Sequence, residues 1–297
     1  MPSTLKQVEI GCGQITWPRN APEDQVLADI AQAGYAGAPA GLRTDVTAQQ
    51  VMQTYQRFGL KPAPGYLSGD FWNPANEAQI LENAKNYATF TRDLGCTELY
   101  VAAGGFNSYI TKAGKTRSQI AGHVKPEDGM NDAEFKQFAK VLNQVCEILL
   151  VQGVQGCFHN HVGTPIETRA EIDHLFSLVD RNLVFLGPDT GHLAWAGDDV
   201  TAFCKEYASS IKTVHLKDCN PAIRAQGAAA EWNYATFSQH GIWTELGQGC
   251  VDFPAIFDIL AGANFSGWLI VETDVTQLAT PLESAKVSRE YLKTQGL

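Results

Sequence analysis

A closed barrel of eight parallel strands, each followed by a helix, is the fold this sequence predicts, and three observations predict it. Short apolar runs and longer amphipathic stretches alternate eight times over 297 residues. The strand-like runs are almost continuously apolar, as expected when helices cover one side and packed side chains fill the other. Four consecutive runs in the second half turn ionisable at their C-terminal ends, and in a parallel barrel those ends share one rim. Residues 1–297 read as one (β/α)8 domain, with no linker, low-complexity tract or repeat beyond the strand–helix unit. A doubly wound open sheet is the rival. Gly11–Ile15 does not complete its glycine-rich turn.

The strands fall at 8–14, 35–41, 61–67, 98–104, 155–161, 183–189, 211–218 and 267–274. Helices fall at 23–33, 47–58, 76–94, 131–151, 168–180, 199–208, 253–263 and 280–294. The first three helices run into Gly34, Gly59 and Gly95, where a left-handed C-cap belongs. The fourth opens on a capping box, Asn131–Glu134, and carries a buried stripe of Phe135, Phe138, Val141, Leu142, Val145, Ile148 and Leu149. Thr168–Glu171 opens the fifth in the same way. Thr280–Glu283 opens the last, with Pro281 at the first helical position. Two long connections, 105–130 and 219–250, follow the fourth and seventh strands and should cover a substrate at the catalytic rim. The first carries Tyr109, Lys112, Lys115, Arg117 and His123; the second Arg224, Trp232, Tyr234, Trp243 and Gln248.

Composition narrows the function. A net charge of −10, without any basic run interleaved with aromatics, argues against nucleic acid. Hydrophobic content of 44% and charged content of 18% describe a soluble globular protein. No stretch approaches the ~18 apolar residues of a membrane span. The start, Met1–Gln7, is polar and lacks the apolar centre of a signal peptide. Seven scattered cysteines without a C-x-x-C pair fit reduced thiols and a cytoplasmic location. Cys157 and Cys219, which flank the candidate site, read as small buried hydrophobes.

The chemistry is expected where His159, Asp189, His215 and Glu272 close their strands. Two imidazoles and two carboxylates converging on one volume suit a divalent cation that polarises a substrate oxygen. A lone strand-end histidine is more often a satisfied structural one, but four unpaired ionisable groups facing inward would be costly to bury. Alternation with period two puts His161 on the face of His159, Lys217 on that of His215, and Asp274 on that of Glu272. Asp189 either caps the turn Asp189–His192 and leaves His192 exposed, or serves as a ligand with His192 near the substrate; the second reading is favoured. For Lys217 and Asp218, substrate contact and a surface ion pair stand level. Glu167 reads as serving the dipole of the helix that follows it. Trp17, Tyr66, Phe71, Trp72 and Trp195 are candidate apolar walls for a sugar-like ring.

These motifs carry a resemblance. The Trp17 turn, His159–Thr164, Asp189–His192, Val214–Asp218, Gly247–Phe253 and Gly267–Glu272 are similar to segments of the xylose isomerase-like TIM-barrel superfamily of sugar isomerases, epimerases and dehydratases. The likeness covers essentially the whole chain and is nearest to the inosose dehydratase (2-keto-myo-inositol dehydratase) branch. It implies a divalent metal, manganese or cobalt first and magnesium, zinc or iron as other options, held by Asp189, His215 and Glu272. His159 stands where the epimerases carry a glutamate, with the choice between His159 and His161 as fourth ligand left open. The implied reaction removes water from a cyclic keto-polyol, and neither nicotinamide nor flavin is implied. Glu272 or His161 would be the base, and Lys217, His192 or His161 the proton donor. Trp17, His161, His192, Lys217 and Arg224 would contact the substrate. A ketose isomerase or epimerase on the same metal is the alternative, and a sugar-binding protein on a retired barrel comes third. Pro39 stands where the dehydratases carry an acidic residue, which implies a different polyol or keto-sugar. A small polyol or keto-sugar is the expected partner, without nucleic acid or membrane, and a homo-oligomer is left open.

Overall fold

Residue 5 and residues 7–297 are described by the computed structural model; residues 1–4 and 6 of the polar N-terminal stretch lie outside them. The strands, in chain order, are β1 (Glu9–Cys12), β2 (Gly37–Pro39), β3 (Lys61–Ala63), β4 (Tyr66–Gly69), β5 (Glu98–Ala103) and β6 (Gln155–His159). Then come β7 (Val184–Leu186), β8 (Val214–Leu216), β9 (Asp218–Cys219), β10 (Trp243–Thr244) and β11 (Trp268–Val271). Two parallel arcs result, β3-β2-β1-β11-β8 and β4-β5-β6-β7. The first and last barrel strands lie side by side, in register from Glu9–Trp268 to Cys12–Val271.

Two seams join the arcs. At the first, the expected strand 61–67 breaks at Pro64–Gly65, so that β3 pairs with β2 and β4 pairs with β5. Pro64 has no N–H for a ladder, and a Cβ on Gly65 would strike the Ala40 carbonyl. At the second seam, isolated parallel bridges Leu186–Ile211 and Asp189–His215 link the β7 and β8 segments. The cylinder is thereby closed.

The helices are α1 (Glu23–Ala33), α2 (Ala48–Arg57), α3 (Glu77–Asp93), α4 (Asp132–Val151), α5 (Arg169–Leu178) and α6 (Thr190–Ala196). They continue with α7 (Val200–Tyr207), α8 (Pro221–Ala229), α9 (Tyr234–Gln239), α10 (Phe253–Gly262) and α11 (Pro281–Thr294). Gly34, Gly59 and Gly95 take positive φ of 89°, 70° and 78° behind α1, α2 and α3. Reciprocal capping boxes open α4 and α5 as expected, and another, Thr47–Gln50, opens α2. Thr280 accepts the Glu283 N–H without a return bond. The stripe of α4 is buried except for Ile148, which is partly so. The connection 219–250 is more ordered than a loop, since it forms α8, α9 and the antiparallel β9–β10 pair.

A large apolar cluster joins strands to helices, while Ala63, Tyr100 and Ile270, backed by Trp268, form a separate small one on the inward face. The connection 105–130 is held down by charge. Fully buried Arg117 donates to both Glu171 oxygens at 2.8 and 3.1 Å. Glu167 lies 3.9 Å from the same guanidinium and accepts the Gly122 and Gly163 N–H groups at 2.8 and 2.7 Å. The dipole reading of Glu167 is thus replaced by a tether between two rim loops. Among the described residues, no helix is long and apolar enough to cross a membrane.

Candidate active site

The strand ends converge as the barrel requires. His159 closes β6; its Nδ1–H donates to the Gly187 carbonyl at 3.1 Å, which leaves the Nε2 lone pair free. Asp189 caps α6 through Oδ1, which accepts the His192 N–H at 2.8 Å, while buried Oδ2 has no hydrogen-bond partner. Asp189 therefore caps the turn through one oxygen and points the other inward, where the ligand reading needs it, while His192 is neither exposed nor at the chamber. His215, on β8, puts Nδ1 3.2 Å from Glu272 Oε2 and 3.8 Å from Asp189 Oδ2, yet neither ring nitrogen makes a hydrogen bond. Donor atoms of His159, Asp189 and His215 all lie within 4.8 Å of one another. Asp189 Oδ2 and both ring nitrogens of His215 make no hydrogen bond and are offset only by charge, from Lys217 and Glu272; with the free Nε2 of His159 beside them they fit a divalent cation.

Electrostatics agree with the geometry. Burial and the neighbouring His215 push the His159 imidazole well below its usual range, so it is neutral, the form that ligates. Burial also disfavours a charged His215, but Glu272 and Asp189 outweigh it and hold that ring at about 9. A bound cation would displace this proton. Tyr100 steadies both rings, with centroids 5.4 Å from His159 and 4.2 Å from His215. Its seat depends on Gly187, where a Cβ would come within 2.7 Å of the phenol ring.

Lys217 is buried, not the surface partner of Asp218. Its Nζ lies 3.2 Å from Asp189, 3.2 Å from Glu272 and 2.7 Å from Asp274, and 4.8 Å from the centroid of the Trp243 ring. Burial opposes its charge, but the three carboxylates outweigh burial and raise its pKa well above the usual value. Asp218 turns away and accepts N–H groups of Cys219, Gly247, Gly249 and Val251 at 2.9–3.1 Å.

A second group, His161, His192 and Asp274, also brings donor atoms within 4.8 Å. His161 stands just beyond β6, its Nδ1 2.7 Å from the Val162 carbonyl. His192 is fully buried behind it, ring centroids 3.7 Å apart, and does not face solvent or the chamber. The Val162 N–H donates to His192 Nδ1 at 3.2 Å, so a neutral His192 carries its proton on Nε2 and has no lone pair for an ion. This group is suited to protons.

The site encloses a chamber of about 330 Å³, bordered by the imidazoles of His159, His161 and His215, by Lys217, Glu272 and Asp274, and by walls of Ile15, Pro39, Tyr66 and Tyr100. Of the five aromatic wall candidates only Tyr66 borders it. Trp17 lies in the core with its indole N–H on Asp29 at 3.0 Å. Phe71, Trp72 and Trp195 are buried in the core as well. Arg224 lies outside the chamber, in a separate depression with Asp198, Cys250 and Asp252. Asp274 was signalled by its period-two spacing from Glu272. Tyr100 and Ile15 carried no signal, because an aromatic or aliphatic residue near a strand reads as core.

An α/β barrel with histidines and carboxylates gathered at the C-terminal ends of its strands defines the class of protein. More narrowly, the chain belongs to the xylose isomerase-like TIM barrel family, whose profile matches residues 27–295. Curated relatives it resembles include an inosose dehydratase of Geobacillus kaustophilus, 28% identical over 98% of this chain and 96% of that one. Another is the rhizopine catabolism protein MocC of Rhizobium meliloti, 29% identical over 98% and 89%. Among solved structures, an L-ribulose 3-epimerase superposes with a TM-score of 0.69 at 20% identity, covering 97% and 94%. A probable 3-DHS dehydratase from Bacillus anthracis gives 0.71 at 12% identity, covering 96% and 99%. At such identities these two likenesses concern the fold alone.

Proposed function

We propose that the protein is a metal-dependent dehydratase, a carbon–oxygen lyase that removes water from a cyclic keto-polyol such as an inosose. The observation that carries this reading is the convergence of buried His159, Asp189 and His215, with Glu272 beside them, where Asp189 Oδ2 and both His215 nitrogens make no hydrogen bond. The names of the full-length relatives support it. A divalent ion held by these four residues would polarise the substrate ketone and acidify the neighbouring C–H.

Proton handling falls to the second group. His161 borders the chamber, and burial and then Lys217 lower its pKa, so the ring is neutral with Nε2 free while Nδ1 is tied to Val162. It is the better base. Glu272 is held low by His215 and Lys217 against the effect of burial, and is therefore a poor proton acceptor. Lys217 holds a proton at Nζ beside the chamber, where a departing hydroxyl can take it. His192 backs His161 and fixes its plane.

The test is an assay of purified protein on a keto-inositol, before and after chelation and manganese or cobalt return. The expected product has lost one water and absorbs in the ultraviolet as an enone. A product of unchanged mass that has taken up solvent deuterium would instead indicate an isomerase or epimerase. Protein without bound metal and indifferent to chelation would return the barrel to a sugar-binding role.

A further inference from the structure

The connection 219–250 begins and ends on a cysteine. It brings the Tyr234 ring against His161, centroids 5.9 Å apart, and the Trp243 ring to 4.8 Å from Lys217 Nζ. Cys219 is fully buried on β9, whereas Cys250 is exposed; the other five cysteines are buried. The main chain holds the two ends together. The Cys250 N–H donates to the Cys219 carbonyl at 3.0 Å, and the Gly249 and Val251 N–H groups on either side donate to the Asp218 carboxylate at 2.9 and 3.1 Å. Gly249 permits the approach, since a Cβ there would come within 2.5 Å of the Cys219 carbonyl oxygen. Bond lengths then confine the Cα atoms of Cys219 and Cys250 to within about 7 Å, the reach of a disulfide.

The two thiols meet, and they are unequal. Their side chains hydrogen-bond to each other. That bond, and then burial, raises the pKa of Cys219; the same bond, with help from Arg224, lowers that of Cys250 against burial and the charge of Asp218. Cys250 is thus the side that ionises, and Cys219 keeps its proton. Cys250 also borders a depression of about 150 Å³ together with Arg224, so a small oxidant can reach it. We propose that Cys219 and Cys250 are a redox pair, closed to a disulfide by a peroxide and reopened by a dithiol, which staples the two ends of the 219–250 connection. The Cys250 sulfur attacks one peroxide oxygen. The O–O bond breaks, leaving a sulfenic acid on Cys250 and a hydroxide that takes up the proton Cys250 had released. The Cys219 sulfur then attacks the Cys250 sulfur; the S–S bond forms, the S–O bond breaks, and the hydroxyl leaves with the Cys219 proton as water. Two thiols and one hydrogen peroxide become one disulfide and two waters. A dithiol reverses this by becoming a disulfide itself and returning both protons.

The test uses the full chain, reduced and then treated with a few equivalents of hydrogen peroxide at neutral pH. Peptide mapping without reductant should find Cys219 joined to Cys250 in most molecules. A thiol reagent applied after denaturation should count two thiols fewer than before oxidation, and a dithiol should restore both. The cross-linked protein should melt a few degrees higher, because the closed loop limits the unfolded chain. Cys219→Ser should stop at a Cys250 sulfenic acid that dimedone captures, and Cys250→Ser should lose no thiol under the same conditions. Oxidation of Cys250 alone in the wild type, a disulfide between the Cys250 residues of two chains, or no change at either thiol overturns the inference. So does a cross-link that forms equally fast in urea, or one that leaves Tm where it was. None of these readouts needs turnover, so the outcome is independent of the keto-inositol assay.

Discussion

Asp189 divides its two oxygens, Oδ1 closing α6 and Oδ2 facing His215. The two roles can be separated. Asp189→Asn keeps an acceptor for the His192 N–H but gives up the charge; Asp189→Ala gives up both. Both variants should lose bound metal in elemental analysis, and the alanine variant should be less stable than the asparagine one by about 1 kcal/mol in denaturant melts. Equal stability of the two would mean that the cap contributes nothing. At this scale the sequence was most legible where an apolar run ended in an ionisable residue, as at His159, Asp189, His215 and Glu272, which the structure brings together. It was least legible where side-chain direction decides. Trp17 follows the first strand yet turns into the core toward Asp29, whereas Ile15, two residues earlier, borders the chamber. His192 is three residues along α6 from its N-cap Asp189, nearly a full turn, and lies buried behind His161.

Among the elements, the tether from 105–130 to the loop before α5 was hidden from sequence reasoning, because Arg117 and Glu171 lie 54 positions apart. Only the capping role of Glu171 was visible. The ion pair is fully buried on the arginine side, so removing one partner strands the other: Arg117→Ala should cost about 3–5 kcal/mol by chemical denaturation. Glu167 adds a pH dependence. Burial lifts its carboxyl from 4.5 to about 7 against the pull of Arg117. The folded state therefore binds this proton more tightly than the unfolded chain. Its stabilising contribution is complete below about 4.5 and is lost as pH climbs to about 7. Wild type should lose stability relative to Glu167→Gln across that window; a flat difference between the two profiles would show the carboxyl to be ionised throughout. The helix starts were legible, since capping boxes are local patterns.

For the molecule as a whole, the eightfold alternation sufficed to predict a closed cylinder, because almost every strand is apolar and every crossover has room for a helix. Its seams were less plain. Pro64–Gly65 is a strand-breaking pair, yet residues 61–67 read as one strand because the apolar run continues through it. If the four donors hold an ion, the ion ties together both arcs, since His159 lies on one and His215 and Glu272 on or beside the other. Manganese at a hundred times its Kd should then raise global stability by about 2.7 kcal/mol, read as a shift in Tm that a chelator reverses. An unchanged Tm would leave the donors without a cation. The rung Asp189–His215 has one more consequence. It fixes two candidate ligands opposite each other through the main chain, the His215 N–H donating to the Pro188 carbonyl at 2.9 Å. If an ion is held there, exchanging the His215 imidazole for a carboxylate would alter which ion is preferred while the rung keeps the two positions opposed. For such an ion the scaffold would set the place and the side chains its selectivity.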